Sequence, residues 1–283
     1  QAEVFARERS FEVPLVYYSC GNCGFIFQDP TESQAANPEF YRETYRRIYQ
    51  ASTEPTAKDL YQQRARAGEQ IAWLQSLGVR QVTSALDIGA SSGLLLQALQ
   101  SAYGARAVGV EPGDDYRRLA QDSGLEMYAS LEDLLAAKPQ RFQLVTLMHV
   151  LEHLPDPMAA LSQIRTELLD EQGWLLVEVP NFYAHDSYEL AHLAAYTAHS
   201  LHEMLRASGY EVIASREHGM PRSETLPLYL GALARPVKDY KKDYVVVKDS
   251  GMQHKRRLGM LRRKLVSRLL PKRSWLPLEG KLP

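Results

Sequence analysis

Cysteine is nearly absent: the 283 residues hold two, Cys20 and Cys23. That excludes a disulfide scaffold and points to a reducing compartment. No apolar run approaches the roughly 18 residues a membrane-spanning helix needs. The opening residues 1–10, QAEVFARERS, carry charges where a secretory leader has an apolar stretch, so a cytoplasmic location is expected. No 20–50-residue repeat is visible, which excludes a solenoid. Composition, at 45% hydrophobic and 24% charged residues, excludes collagen-like and disordered chains. Length allows one large domain, or one domain with appendages.

Net charge is also nearly absent, at −1, but this hides an imbalance. From Arg235 onward there are 15 Lys/Arg against 4 Asp/Glu, or +11, which leaves −12 on the preceding residues. An acidic body with a basic tail suggests an anionic partner for the tail: a membrane surface, nucleic acid or an acidic protein. A solvated tail without a partner has the same composition.

Residues 11–30 are short, aromatic and turn-rich, and a polar stretch with helical spacing runs from Pro38 to Gln50. Lys58–Leu77 reads as a helix stopped by Gly78. From there short apolar runs (SALDIG, RAVGVEP, LEMYA, FQLVTLMHV, WLLVEVP) alternate with helical patterns, among them Pro157–Leu169. Such alternation predicts βαβ units, a mostly parallel sheet and helices on both faces. A helix from His199 to Ser208 precedes EVIASREH and PLYLGALA, whose short connection predicts a closing antiparallel hairpin. The organisation is thus an N-terminal unit (1–57), an α/β body (58–236) and a tail (237–283). In the tail Leu258, Leu261, Leu265 and Leu269 recur between Arg and Lys, predicting a basic amphipathic helix stopped at Pro271.

SALDIG runs into Gly89-Ala90-Ser91-Ser92-Gly93 and then directly into a helix. Glycines at a strand-to-helix turn let a ligand approach the backbone and the helix N-terminus. Ser91 stands where a dinucleotide site has its middle glycine, which argues for a smaller ligand carrying a carboxylate or amine. No Lys-Ser/Thr pair follows, so a phosphate loop is excluded. Glu111 ends the next strand, 22 residues after Gly89, where a carboxylate takes both ribose hydroxyls. Asp87 sits at the end of the first strand.

The runs Leu86–Gly93 and Val108–Pro112 resemble the class I S-adenosylmethionine-dependent methyltransferases. His149–Pro157 and Gly173–Asn181 resemble the branch related to ubiquinone-biosynthesis O-methyltransferases, and the resemblance covers about residues 60–236. It implies a Rossmann-like seven-stranded sheet. It also implies that Asp87, Gly89, Ala90 and Gly93 line the methionine end of S-adenosylmethionine, and that Glu111, with Pro112 beside it, holds the ribose. Ser130 and Leu131 fall at the adenine, without the Asp usual there, and Met148 and His149 near the transferred methyl.

Transfer from a sulfonium is an in-line displacement, so alignment and water exclusion dominate. A base is needed only for a protonated acceptor, and His149, His153 and His192, with Glu152, are the candidates. His149 and His153, four apart, would share a helical face. Glu152 and His153 also suit a metal, as in some quinone O-methyltransferases. Cys20-Gly21-Asn22-Cys23 looks like the second knuckle of a zinc ribbon. Sugar C-methyltransferases of this branch carry such a ribbon, and the first knuckle would then lie upstream of Gln1. Phe40, Tyr41 and Tyr45 either cover the cofactor or pack the N-terminal unit.

The expected function is methyl transfer to an oxygen or carbon of a small-molecule or glycan acceptor. A binding module without transfer activity, or an RNA or protein methyltransferase using the tail, are the alternatives. Asn181-Phe182-Tyr183 is not the motif of base-amino methylation. A tail docked on anionic lipid, peripheral at the membrane, suits a lipid-linked glycan acceptor.

Overall fold

The computed structural model describes residues 2–10, 13–29, 33, 40, 54–138, 140–241 and 243–277. The Pro38–Gln50 stretch, with Tyr41 and Tyr45, lies outside the described residues apart from Phe40, which is buried.

Three strands open the chain: β1 (Ala2–Ser10), β2 (Val13–Cys20) and β3 (Ile26–Gln28). Helix α1 (Ala57–Ser76) follows, started by a capping box in which the Asp59 N–H donates to Thr56 Oγ1 and the Thr56 N–H to Asp59 Oδ2. The alternating body is β4 (Ser84–Ile88), α2 (Leu94–Tyr103), β5 (Arg106–Val110), α3 (Asp114–Asp122), β6 (Glu126–Tyr128), α4 (Leu131–Ala136) and β7 (Phe142–Met148). A single 3-10 turn at Leu151–His153 leads to α5 (Pro157–Gln163), which continues as one π turn, Ile164–Leu168, into β8 (Leu169–Pro180). Then come β9 (Ala194–Ala195), α6 (Ala198–Ala207), β10 (Tyr210–His218), β11 (Tyr229–Pro236), α7 (Met252–Leu269) and the short α8 (Pro271–Ser274).

The main sheet has seven strands in the order β10-β11-β8-β7-β4-β5-β6. β4 through β8 run parallel, β11 is antiparallel to β8, and β10 pairs antiparallel with β11, the closing hairpin expected. Both faces are covered. Ala67 and Leu74 of α1 with Leu95 and Leu99 of α2 bury Leu144, Leu176 and Leu233 on one. Leu161, Leu201 and Leu205 bury Val145, Leu175 and Val177 on the other. Burying each such side chain contributes about 1.5–3 kcal/mol, so period and pattern are strongly fixed in this layer.

A second sheet, β1-β2-β3-β9, was not anticipated: Ala2–Ser10 form a full strand, and β9 comes from the stretch after β8, where no strand was expected. β9 pairs Ala195 with Ile26 and Ala194 with Phe27, which ties the N-terminal strands to the body. One apolar cluster joins Leu15, Tyr17 and Ile26 to Phe182, Leu193 and Met252, so N-terminal strands, the loop after β8 and the tail helix share a core. α7 ends at Leu269, and Pro271, expected as a stop, opens the short α8.

Candidate cofactor crevice and acid–histidine cluster

The chain leaves β4 towards β5 and β6 on one side and returns to β7 and β8 on the other. The carboxyl ends of β4 and β7 therefore flank a topological switch point, where α/β sheets bind ligands. Parallel register sets Asp87 beside Thr146 and Met148 beside Glu178. The crevice there is lined by Asp87, Gly89, Ala90, Ser91 and Met148, with Gln63, Arg66 and Gln70 from α1 above them. A separate cavity of about 260 Å³ between α6 and the hairpin shares no lining residue with it.

Gly89 and Gly93 have φ of +78° and +74°. A Cβ on Gly93 would stand 2.3 Å from Leu125 Cδ1, so the turn requires glycine for both backbone and space. Asp87 is buried and accepts from Thr146 Oγ1 at 2.6 Å. Burial, only partly offset by that hydrogen bond and reinforced by Glu111, pushes its carboxyl up to about 7. Glu111 accepts the Ser91 N–H at 2.9 Å and the Gly113 N–H at 2.8 Å, one on each oxygen. These two bonds brace the side chain at the carboxyl end of β5.

Beyond Met148 lies a buried acid–histidine cluster. Glu178, fully buried, has Arg66 Nε at 3.1 Å, His149 Nε2 at 3.0 Å and His218 Nε2 at 2.9 Å, and accepts from Gln70 Nε2. His149 Nδ1 lies 3.2 Å from Glu152 Oε1. Burial opposes ionisation of both acids, but their histidines outweigh it, holding Glu178 well below the usual carboxylate range and Glu152 at about 2. For His149, burial and Arg66 oppose the imidazolium, and Glu152 and Glu178 prevail, raising its pKa. His153 Nδ1 donates to the Ala191 carbonyl at 2.8 Å, which fixes the tautomer with its lone pair on Nε2, 4.0 Å from Glu152 Oε1. His192 Nδ1 lies 3.3 Å from the Ser187 carbonyl, and burial lowers its pKa to about 3. The two rings are 5.1 Å apart.

A family model described as a methyltransferase domain matches residues 41–215. The chain belongs to the class I S-adenosylmethionine-dependent methyltransferases.

Among relatives of this methyltransferase, the ubiquinone biosynthesis O-methyltransferase of Leptothrix cholodnii is 30% identical over 118 residues, 38% of this chain and 49% of that protein. The enzyme of the same name from Xylella fastidiosa is 35% identical over 103 residues, 34% of this chain and 41% of its own. The chain spans about half the length of the curated relatives it matches. Among solved structures, the Burkholderia thailandensis 1,6-didemethyltoxoflavin-N1-methyltransferase, with bound 1,6-didemethyltoxoflavin and S-adenosylhomocysteine, aligns at TM-score 0.54 and 20% identity, covering 77% of this chain and 98% of that one. A SAM-dependent methyltransferase from Archaeoglobus fulgidus aligns at TM-score 0.50 and 16% identity, covering 63% and 99%. These two likenesses bear on the fold, a Rossmann-like methyltransferase sheet.

In the methyltransferase the expected cofactor residues Asp87, Gly89, Ala90, Gly93, Glu111 and Pro112 gather at the carboxyl ends of β4 and β5. Ser130 caps α4 by accepting the Asp133 N–H at 3.1 Å, and Leu131 starts that helix beside β6. One expectation near the histidines needs correction. His149 and His153 do not share a helical face. His149 has φ +56° and precedes a 3-10 turn only three residues long, yet both rings reach Glu152. His192 lies in an irregular buried loop, because its neighbours turn to meet the N-terminal sheet.

Sequence reasoning missed Arg66, Gln70, Glu178 and His218. Glu178 was findable: it is the one charge in the apolar run WLLVEVP, and a carboxylate in a buried strand needs partners. Cys20 and Cys23 close a tight turn in which the Gly24 N–H donates to the Cys20 carbonyl. Among the described residues no further ligand atom joins them, and two thiolates supply half of a tetrahedral zinc shell. By contrast Glu152, His153 and His192 bring three ligand atoms within 4.8 Å of one another. Glu152 Oε2 is buried there and has no hydrogen-bond partner among the described residues.

Proposed function

We propose that the protein transfers the sulfonium methyl of S-adenosylmethionine to a hydroxyl oxygen of a small acceptor. The cofactor side rests on Asp87, whose buried carboxyl, raised to about 7, would ionise against the ligand's ammonium, and on Glu111, braced by two backbone N–H groups where the ribose would lie. The observation that carries the acceptor class is His153, its tautomer fixed by Ala191 and its Nε2 set beside the ionised Glu152. A proton acceptor of that kind is of use only to a nucleophile that must lose a proton. The relatives named as O-methyltransferases support the same direction.

When bound, S-adenosylmethionine would supply an electrophilic methyl whose transfer leaves the carbon–sulfur electron pair on sulfur. The proton displaced from the acceptor hydroxyl would pass to His153 Nε2. Glu152 stabilises the resulting imidazolium. His149, clamped between Glu152 and Glu178, fixes both carboxylates. His192, with a pKa near 3, stays neutral and adds no opposing charge.

A second reading keeps the same residues. Two histidines whose Nδ1 atoms face carbonyls, with a carboxylate oxygen lacking a partner, fit a divalent cation. Such an ion, bound at Glu152, His153 and His192, would lower the pKa of an acceptor hydroxyl.

Methyl-labelled S-adenosylmethionine offered with a panel of phenolic and amphiphilic hydroxyl acceptors tests the proposal. Transfer to at least one is expected, and tight cofactor binding with no transfer overturns it. Dialysis against a chelator separates the readings: an unchanged rate supports the histidine base, and a loss restored by divalent ions supports the metal.

A further inference from the structure

The tail helix is amphipathic in an inverted sense. Its protein-facing side holds Met252, Arg256, Gly259 and Arg263. Arg256 Nη1 donates to the Phe182 carbonyl, and at 3.1 Å to that of His185, while its guanidinium stacks on Phe182 and Tyr188 at 4.3 and 4.5 Å. Arg263 Nη1 donates to the Ala184 carbonyl at 3.1 Å. A Cβ on Gly259 would stand 2.0 Å from the Tyr183 carbonyl oxygen, so the helix lies directly on that backbone.

The opposite face carries Leu258, Leu261, Leu265 and Leu269, exposed by 53, 53, 49 and 78%. At 100° per residue these four fall within one stripe. Arg257, Lys264 and Arg268 flank it on one side and Arg262 on the other, all exposed. Leu270 and Trp275 extend the apolar surface past the helix end. Residues 250–277 contain no Asp or Glu. No helix among the described residues is long and apolar enough to cross a membrane.

We propose that α7 lies in the plane of an anionic bilayer surface, with its leucine stripe in the acyl boundary and its flanking arginines and lysines among the headgroups. The helix is about 27 Å long at 1.5 Å per residue, and a leucine seam bordered by cations is the form of an interfacial anchor. A second copy is a poor occupant: stripe against stripe would bring the two sets of cations together with no carboxylate between them. Charge complementarity therefore favours lipid phosphates. The inner face grips residues 182–185, so docking would set the acceptor-side loop at the membrane, where a lipid-borne acceptor is reached.

The test needs no cofactor, so it stands apart from the proposed reaction. The full chain is sedimented with vesicles of phosphatidylcholine, alone or mixed with phosphatidylglycerol, at about 0.1 M salt. Binding to the anionic vesicles is expected to be at least about tenfold stronger, with a blue shift of Trp275 fluorescence. Replacing Leu261→Ser and Leu265→Ser together, both at exposed positions, should weaken it about tenfold or more while leaving the thermal midpoint unchanged. Arg257→Gln with Arg262→Gln should flatten the salt dependence. Failure to bind anionic vesicles overturns the proposal. So does a leucine variant that binds like the parent, or binding to soluble polyglutamate alone, which would mark an acidic protein partner.

Discussion

The two halves of the site are built differently. The cofactor crevice is local: Asp87, the glycine turn and Glu111 lie within 25 consecutive residues and are placed by two adjacent parallel strands. The proposed acceptor side, around His153 and His192, is assembled from distant pieces. The loop carrying His192 is held by Tyr17, whose hydroxyl donates to the His192 carbonyl at 2.9 Å, and by Gln28 Nε2 at 2.7 Å to the same oxygen. From the other end of the chain, Arg256 and Arg263 hold its start. A cofactor pocket made by one supersecondary unit can stay constant while the surface facing the acceptor is rebuilt from its surroundings.

That contrast predicts separable effects. The largest is on chemistry: His153→Gln should lower kcat by about 10²–10⁴-fold, with cofactor affinity within a factor of about two by calorimetry. A matching loss of affinity would break the division between the halves. Glu111→Ala should do the reverse, weakening S-adenosylmethionine about 100-fold through two lost charged hydrogen bonds, and should also lower the unliganded thermal midpoint, because the Ser91 and Gly113 N–H groups lose their acceptor. Asp87 supplies a pH test. Its free carboxyl titrates near 7 and must ionise to pair with an ammonium, so affinity should rise about tenfold per pH unit up to about 7 and then level. Calorimetry in buffers of differing ionisation enthalpy should register proton release at pH below that value. The same shift means that the ionisation-linked cost of burying Asp87 is absent at acid pH. That cost appears as pH rises from the unfolded value of 3.8 towards 7. The smallest effect is Tyr17→Phe, about 1 kcal/mol of stability and a few-fold rise in acceptor KM, with cofactor binding untouched.

How much of this was legible follows the same line. The βαβ alternation, the closing hairpin and the Asp87–Glu111 series are encoded in short spacings, and the structure places them where expected. His149 and His153 were singled out, but not their geometry. A residue at φ +56° leaves no signature in helical periodicity, and Glu178, one of its two carboxylate partners, comes from another strand. The N-terminal sheet was illegible because its fourth strand is two residues long and begins 166 residues after β3 ends (Ala194 against Phe27, Ala195 against Ile26). The tail helix could be read, but not the face it presents to the protein. The leucine stripe draws the eye, yet the buried side is made by Arg256 stacked on Phe182 and by Gly259 against bare backbone.

The clamp of Arg256 and Arg263 on residues 182–185 also orders events in time. A ribosome releases the crevice strands first, and they can pair while synthesis continues. The loop bearing His192 stays without its final restraints until α7 has emerged. A nascent chain can thus be competent to hold its cofactor before it is competent to spend it, and a chain truncated before Arg256 would remain in that earlier condition.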